Sequence, residues 1–177
     1  MERAFLTGEN CCLRPLTKTN LTKLSEWMND DEVTRLLFTG STPVTPNDLP
    51  WPIENDAVIL GIWCGLDFIG TTGLYSIHPI AHSAEFRILI GDKKYWGRGI
   101  GTECTKMIID YGFDRLNLNM IWLGVNIENK AAIRVYEKVG FIHEGILRQV
   151  QYRNGRYYDV LRMSVLREER CTQVIVR

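Results

Sequence analysis

The residues Tyr95-Trp96-Gly97-Arg98-Gly99-Ile100-Gly101-Thr102 decide how this 177-residue chain is read. Three glycines alternate with Arg98 and Ile100. An apolar run from Phe86 to Ile90 stands before them, and Ile100, Cys104, Met107, Ile108 and Tyr111 follow at the spacing of one helical face. The stretch is a strand, a glycine-rich turn and a helix. Alternating glycines let a ligand come close to the backbone, and the free N–H groups of a helix start carry partial positive charge. Together they suit a phosphate or pyrophosphate. The same glycines also read as a tight turn before a helix. A Walker loop counted from Gly97 has Thr102 where its second glycine belongs, and the third glycine of a dinucleotide fingerprint falls on Thr102 or Cys104. What remains is a Gly-x-Gly-x-Gly arch on a helix start.

Working outward, alternation places Glu85, Arg87 and Leu89 on one face of the preceding strand, and Ala84, Phe86, Ile88 and Ile90 on the other. An acid in an apolar strand either faces solvent or has a function. Beyond the arch, Met120–Val125 is a short apolar strand. Asn129 caps a helix that runs to Val139 and stops at Gly140. Asn129, Ile133 and Tyr136 share a face of it; alone, Asn129 is an N-cap and Tyr136 a half-buried aromatic. Phe141–Tyr152 and Tyr157–Leu166 form a closing hairpin around Asn154-Gly155. Upstream, Leu13–Leu16 is a first strand, a helix runs through Trp27 and Met28, and Glu32–Phe38 is a second short helix. The segment Thr39–Asn55 holds four of the six prolines and Trp51, and reads as a functional loop or a passive excursion. Val58–Trp63 and Phe68–Ile77 make an antiparallel pair. The order predicts one α/β domain over residues 1–177: a single mixed, mainly antiparallel central sheet of α+β type, flanked by helices.

Lys+Arg and Asp+Glu balance at 21 each, which argues against a nucleic-acid binder held by phosphate neutralisation. Five cysteines form no metal-like CxxC pair, and His78, His82 and His143 are scattered, so no metal is expected. Cys104 reads as core packing. No apolar run approaches ~18 residues, and the polar N-terminus does not resemble an export signal. A cytoplasmic protein with no membrane segment is the expectation.

The arch, Glu85, and the run from Asn129 through Tyr136-Glu137-Lys138-Val139-Gly140-Phe141 together resemble the GNAT superfamily of acetyl-CoA-dependent N-acetyltransferases. The likeness covers about Leu13 to Glu168. Leu13-Arg14-Pro15-Leu16, Trp27-Met28-Asn29-Asp30, Ala84-Glu85-Phe86, Tyr95-Trp96-Gly97, Asp110-Tyr111-Gly112-Phe113 and Glu144-Gly145 are similar to the branch holding ribosomal-protein N-terminal (RimJ/RimL-like) and spermidine acetyltransferases. Trp96 stands where the superfamily usually has Gln or Arg.

The resemblance implies a GNAT-like fold and direct acetyl transfer from acetyl-CoA, as co-substrate, to an amine. It assigns the pyrophosphate to the N–H groups of Arg98, Gly99, Ile100, Gly101 and Thr102, and counts Trp96 and Gly97 among the cofactor-binding residues. It assigns the pantetheine arm to the edge of Ile88, Leu89 and Ile90 and to Asn129, Ala132 and Tyr136. Tyr136 would protonate the leaving thiolate and Glu85 would act as general base. The basic stripe Lys130, Arg134, Lys138 reads as a solvated face. The acceptor would lie among Asp31, Glu32, Trp51, Tyr152 and Tyr158, with Tyr157 and Asp159 nearby. Aromatics with a few acids suit a cation, and equally a sugar or peptide terminus. The expected acceptor is a peptide or ribosomal-protein N-terminal amine, or a small amino compound such as an amino sugar or antibiotic. The alternatives are a polyamine of the spermidine type and a non-catalytic acyl-CoA-binding module. A homodimer through the closing strands and the tail is a further expectation.

Overall fold

The computed structural model describes residues 3–37, 42–49 and 56–174, with the backbone alone for 171–174. One eight-stranded sheet is built from β1 (Leu6–Thr7), β2 (Cys12–Pro15), β3 (Val58–Cys64), β4 (Asp67–His78), β5 (Ser83–Ile90), β6 (Met120–Asn126), β7 (Ile142–Arg153) and β8 (Arg156–Leu166). Its order is β1-β2-β3-β4-β5-β6-β8-β7. Among the described residues every neighbouring pair is antiparallel except β5–β6. This is the mixed, mainly antiparallel sheet that the sequence predicts.

Among the described residues five helices accompany it: α1 (Asn20–Met28), α2 (Asp31–Thr34), α3 (Ile100–Arg115), α4 (Lys130–Val139) and α5 (Arg167–Val174). A two-residue strand, β1, precedes the strand expected to be first, and two helical features also differ from the sequence expectation. The second helix begins at Asp31, because the Asp30 side chain accepts from the N–H groups of Glu32 and Val33 and so caps it earlier, and it ends at Thr34; Phe38 lies outside the described residues. The tail folds as α5 and returns to the end of α3. Arg170 donates to both Asp114 carboxylate oxygens at 2.6 and 3.0 Å, and Arg167 donates to the Phe113 carbonyl at 2.6 Å. Cations there meet the negative end of the helix dipole.

The main core lies between the sheet and α3. Leu13, Ile62, Leu74, Phe86, Ile121, Leu123 and Met163 pack with Cys104, Ile108 and Phe113, all buried. Cys104 is a core side chain, its Sγ 3.5 Å from that of Cys11. Trp27 of α1 is outside this cluster and packs on Phe68, ring centroids 5.3 Å apart, and against Gly91.

One cross-strand row runs Tyr75–Glu85–Trp122–Ser164–Ile142. At this row the sheet opens. β5 pairs with β6 only at Ser83–Met120, Ala84–Ile121 and Glu85–Trp122. Past it, Phe86–Ile90 pair with β4 alone, and Leu123–Asn126 with β8 alone. A cleft edged by unpaired backbone lies between the two strands.

Gly112 sits where α3 meets the sheet, and a Cβ there would lie 2.8 Å from Ile121 Cδ1 and 3.1 Å from Leu74 Cδ1. Gly112→Leu is expected to destabilise by about 1–3 kcal/mol through overpacking. Urea unfolding should show a lower midpoint at unchanged slope.

Candidate active site

The arch follows β5 directly. Asp92 caps a short 3-10 turn, Lys93–Tyr95, by accepting from the Lys94 N–H. Gly97 has φ +72° and Gly99 φ +81°, left-handed conformations that glycine adopts without strain. Gly99 is the N-cap of α3, and no side chain caps that helix. The first-turn N–H groups of α3 therefore face outward unsatisfied. A Cβ built on Gly97 or Gly99 meets nothing within 4 Å, so open space lies over the arch. This is the geometry an anionic pyrophosphate needs: free donors, the positive end of a sixteen-residue helix, and no side chain between. Arg98 is exposed beside it, over the Tyr95 ring at 5.5 Å.

Trp96 has a role that its residue type did not announce. Its indole Nε1 donates to the Ile90 carbonyl at 2.7 Å and ties the arch to the end of β5. Ile88, Leu89 and Ile90 form the open edge of β5 and are partly buried. Opposite, Asn126 ends β6 and the chain turns into α4. The Asn129 side chain caps α4 by accepting from the Ala132 N–H at 3.1 Å, so its amide nitrogen remains available. Unpaired strand edge, uncapped helix and this amide fit an extended amide-bearing arm that ends in a pyrophosphate.

The two candidate catalytic groups flank the point where the sheet opens. Glu85 occupies the last paired position, its side chain 18% exposed, and accepts from Arg87 Nη2 at 2.7 Å. That bond and Coulombic attraction raise the pKa of Arg87. Arg162 lies near the same carboxylate, stacked 3.4 Å from the centre of the Trp122 ring. Tyr136 lies on the opposite face, packed on Phe86 and Phe141 at 6.1 and 5.8 Å. Burial pushes its phenol up to about 12, so it holds its proton throughout the neutral range.

Around the region where the sequence places the acceptor, the carboxylates are already engaged. Asp31 accepts from Arg153 Nη2 at 3.0 Å. Glu32 and Asp30 pair with Lys93, Asp30 at 2.8 Å. The hairpin register divides the aromatics. Tyr152 pairs with Tyr157, rings 4.9 Å apart, while Tyr158 pairs with Gln151 on the other face, under Arg156. Tyr158 thus shares a face with the residues that hold α2, and Tyr152 does not. Trp51 lies outside the described residues. Sequence reasoning missed Asn126, Gln151 and Arg153, all buried polar residues in this region. The described residues contain no group of three or more metal-ligating side chains, and no helix long and apolar enough to cross a membrane.

The acetyltransferase (GNAT) domain family matches residues 10–142. The chain is 40% identical to the spermidine N(1)-acetyltransferase of Vibrio cholerae over 103 residues, a match that spans 58% of this chain and 59% of that enzyme. It is 30% identical to the N-acetyltransferase p20 of Bacillus licheniformis, itself uncharacterised, over 93% of this chain and 97% of that protein. Its structure is similar to the crystal structure of the Vibrio cholerae spermidine N-acetyltransferase in complex with CoA and spermine. The TM-score is 0.84 and the identity 30%, over 92% of this chain and 98% of that one.

Two outcomes follow from the geometry of the arch and of Tyr136. Gly99→Val forces a β-branched residue to a positive φ and fills the space above the arch. Calorimetry should find acetyl-CoA binding weakened at least about a hundredfold; unchanged affinity would remove the arch from the cofactor site. For Tyr136, the unfolded phenol ionises near ~10 and the folded one near about 12. Its contribution to stability is full below pH ~10 and is lost as pH rises through the folded value. Wild type should lose more stability across that window than Tyr136→Phe, read by urea titration at each pH.

Proposed function

The chain belongs to the GNAT acetyltransferase family, and from that premise we propose that it moves an acetyl group from acetyl-CoA to a primary amine held near Glu85, where the β5–β6 cleft begins. The observation that carries the proposal is the uncapped, glycine-cleared start of α3 beside an unpaired strand edge. Both satisfy polar groups of a ligand with backbone donors and acceptors that the fold leaves unused.

Acetyl-CoA, when bound, supplies an activated acetyl thioester. The chain's residues do the rest. The N–H groups of Gly99 to Thr102 hold the pyrophosphate. The edge of Ile88–Ile90 and the Asn129 amide align the pantetheine arm, and alignment removes much of the entropic barrier. Glu85, at the row where the sheet opens, takes the proton that an ammonium must lose before it attacks. Tyr136, neutral and on the opposite side of β5, delivers a proton to the departing sulfur.

For the acceptor, the similarity to enzymes named for spermidine supports a polyamine, so that class comes before the peptide or small-compound acceptor expected from sequence. One observation favours the latter as a second reading: Asp31, Glu32 and Glu85 each already hold a cation of the protein, leaving less negative charge for a polycation. The same proposal includes a cytoplasmic location, supported by free thiols at Cys11, Cys12, Cys64 and Cys104. It also includes a homodimer, supported by the exposed Ile142, Ile146, Leu147 and Val150 of the edge strand β7.

Thiol release from acetyl-CoA should rise above the no-acceptor rate with spermidine or spermine. A rise only with peptides bearing free N-termini, amino sugars or aminoglycosides would reassign the acceptor. Binding of acetyl-CoA without turnover on any amine would indicate a non-catalytic module. With the active acceptor, Tyr136→Phe should lower kcat by about 10²–10⁴-fold at unchanged acetyl-CoA affinity. Unchanged turnover would remove Tyr136 from the mechanism.

A further inference from the structure

Three polar side chains are almost completely withdrawn from water on one side of the closing hairpin: Asn126 is 0% exposed, Gln151 5% and Arg153 6%. Burial of such groups is costly unless every one is bonded, and here the bonds form a connected set. Arg153 donates to the Thr34 carbonyl, to Thr34 Oγ1 at 2.9 Å and to Asp31 at 3.0 Å. Gln151 Nε2 donates to the Leu37 carbonyl. Gln151 Oε1 accepts from Asn126 Nδ2 at 2.9 Å, and Asn126 Oδ1 accepts from the Glu128 N–H at 2.9 Å. The Asn126 carbonyl accepts from the N–H of Asn129, the cap of α4. One chain of bonds thus joins the segment after α2 to the start of the helix that carries Tyr136.

The same segment is tied on its other side. Lys93, just past the end of β5, pairs with Asp30 and Glu32. β5 and β7 are three positions apart in the sheet order, with the opened β5–β6 pair between them. Residues 30–37 are therefore tied to both sides of the cleft, to Lys93 beyond β5 and to Gln151 and Arg153 of β7. The two anchorages differ in kind. The Lys93 side is solvent-exposed and screened, where ion pairs contribute little. On the hairpin side Asn126, Gln151, Arg153 and Thr34 are buried, although Asp31 is exposed, and a satisfied buried polar network enforces one arrangement.

We propose that Gln151 and Asn126 are positioning residues for the acceptor. Resting on the acetyltransferase reading, they fix the Asp31–Leu37 segment as a wall of the acceptor site and set its distance from the cofactor side. Gln151 acts on the acceptor through Leu37, not by touching it, so its loss should move acceptor binding and leave the arch intact.

The test compares wild type with Gln151→Leu, Asn126→Leu and the double variant, using whichever amine is active in the acceptor panel. Each single variant should raise the acceptor KM about tenfold, the equivalent of one lost hydrogen bond, with the acetyl-CoA KM within about twofold of wild type. Each single variant also strands one buried amide and should lower Tm. The double variant removes both amides and should recover much of the Tm while the acceptor KM stays high, because no side chain of the hairpin then holds the Leu37 carbonyl. If the acceptor KM recovers together with Tm, the pair acts only through folding and the proposal fails. It fails equally if Gln151→Leu leaves the acceptor KM unchanged or raises both KM values alike. A wild type that binds acetyl-CoA but acetylates no amine overturns the transferase reading and this proposal with it. An active wild type whose Gln151→Leu variant is kinetically silent overturns this proposal alone.

Discussion

The separation of β5 from β6 past Glu85 and Trp122 is the constraint on which the site depends. A strand inside a sheet satisfies both of its edges. Here Phe86–Ile90 and Leu123–Asn126 each give one up in the middle of an eight-stranded sheet. Unpaired backbone polar groups are tolerable only where water or a ligand reaches them. The opening is affordable because each strand keeps its outer neighbour, and because Phe86, Tyr136 and Phe141 fill the space on the core side. The sheet thus holds a slot for an amide-bearing molecule without melting either half.

The helix starts on the two sides of the slot are treated in opposite ways. α4 is capped by the Asn129 side chain, which takes up the Ala132 N–H, and the helix carries Tyr136. α3 has glycine at the same position and no cap, so its donors stay open. A capped helix contributes rigidity, and an uncapped one contributes binding.

What was legible in the sequence was local. Alternating glycines before an apolar helix face, an Asn cap eleven residues before Gly140 and an Asn-Gly turn each write their structure within a few residues, and all three stand where expected. β1 is two residues long and carries no periodic signal. α5 is strongly polar and is held by Arg170 and Arg167 bonding residues some fifty positions earlier, which no local pattern encodes. The site was half legible for the same reason. Glycines and an acid in an apolar strand draw attention, whereas Gln151 and Arg153 read as surface residues because polar side chains usually are. Only the register of β7 on β8 turns them inward, and that register depends on irregularities that sequence alternation cannot foresee.

Those irregularities make chain length itself a part of the site. Between the pairs Leu147–Val160 and Gln151–Tyr158, β7 advances four residues while β8 advances two. The excess is taken up where Gln149 adopts φ +53° and its N–H bonds Asp159 at 2.8 Å. Side chains alternate with period two, so losing one residue from Arg148–Val150 would exchange the faces of everything up to the turn. Gln151 and Arg153 would point where Tyr152 points now, and α2 would lose its buried anchorage without any anchoring residue being replaced. Divergence along this hairpin is therefore permissive to substitution at the exposed positions and closed to single-residue gaps. Chains that keep the bulge can alter the proposed acceptor wall residue by residue. A chain that drops one of its residues must rebuild that wall from a different set of side chains.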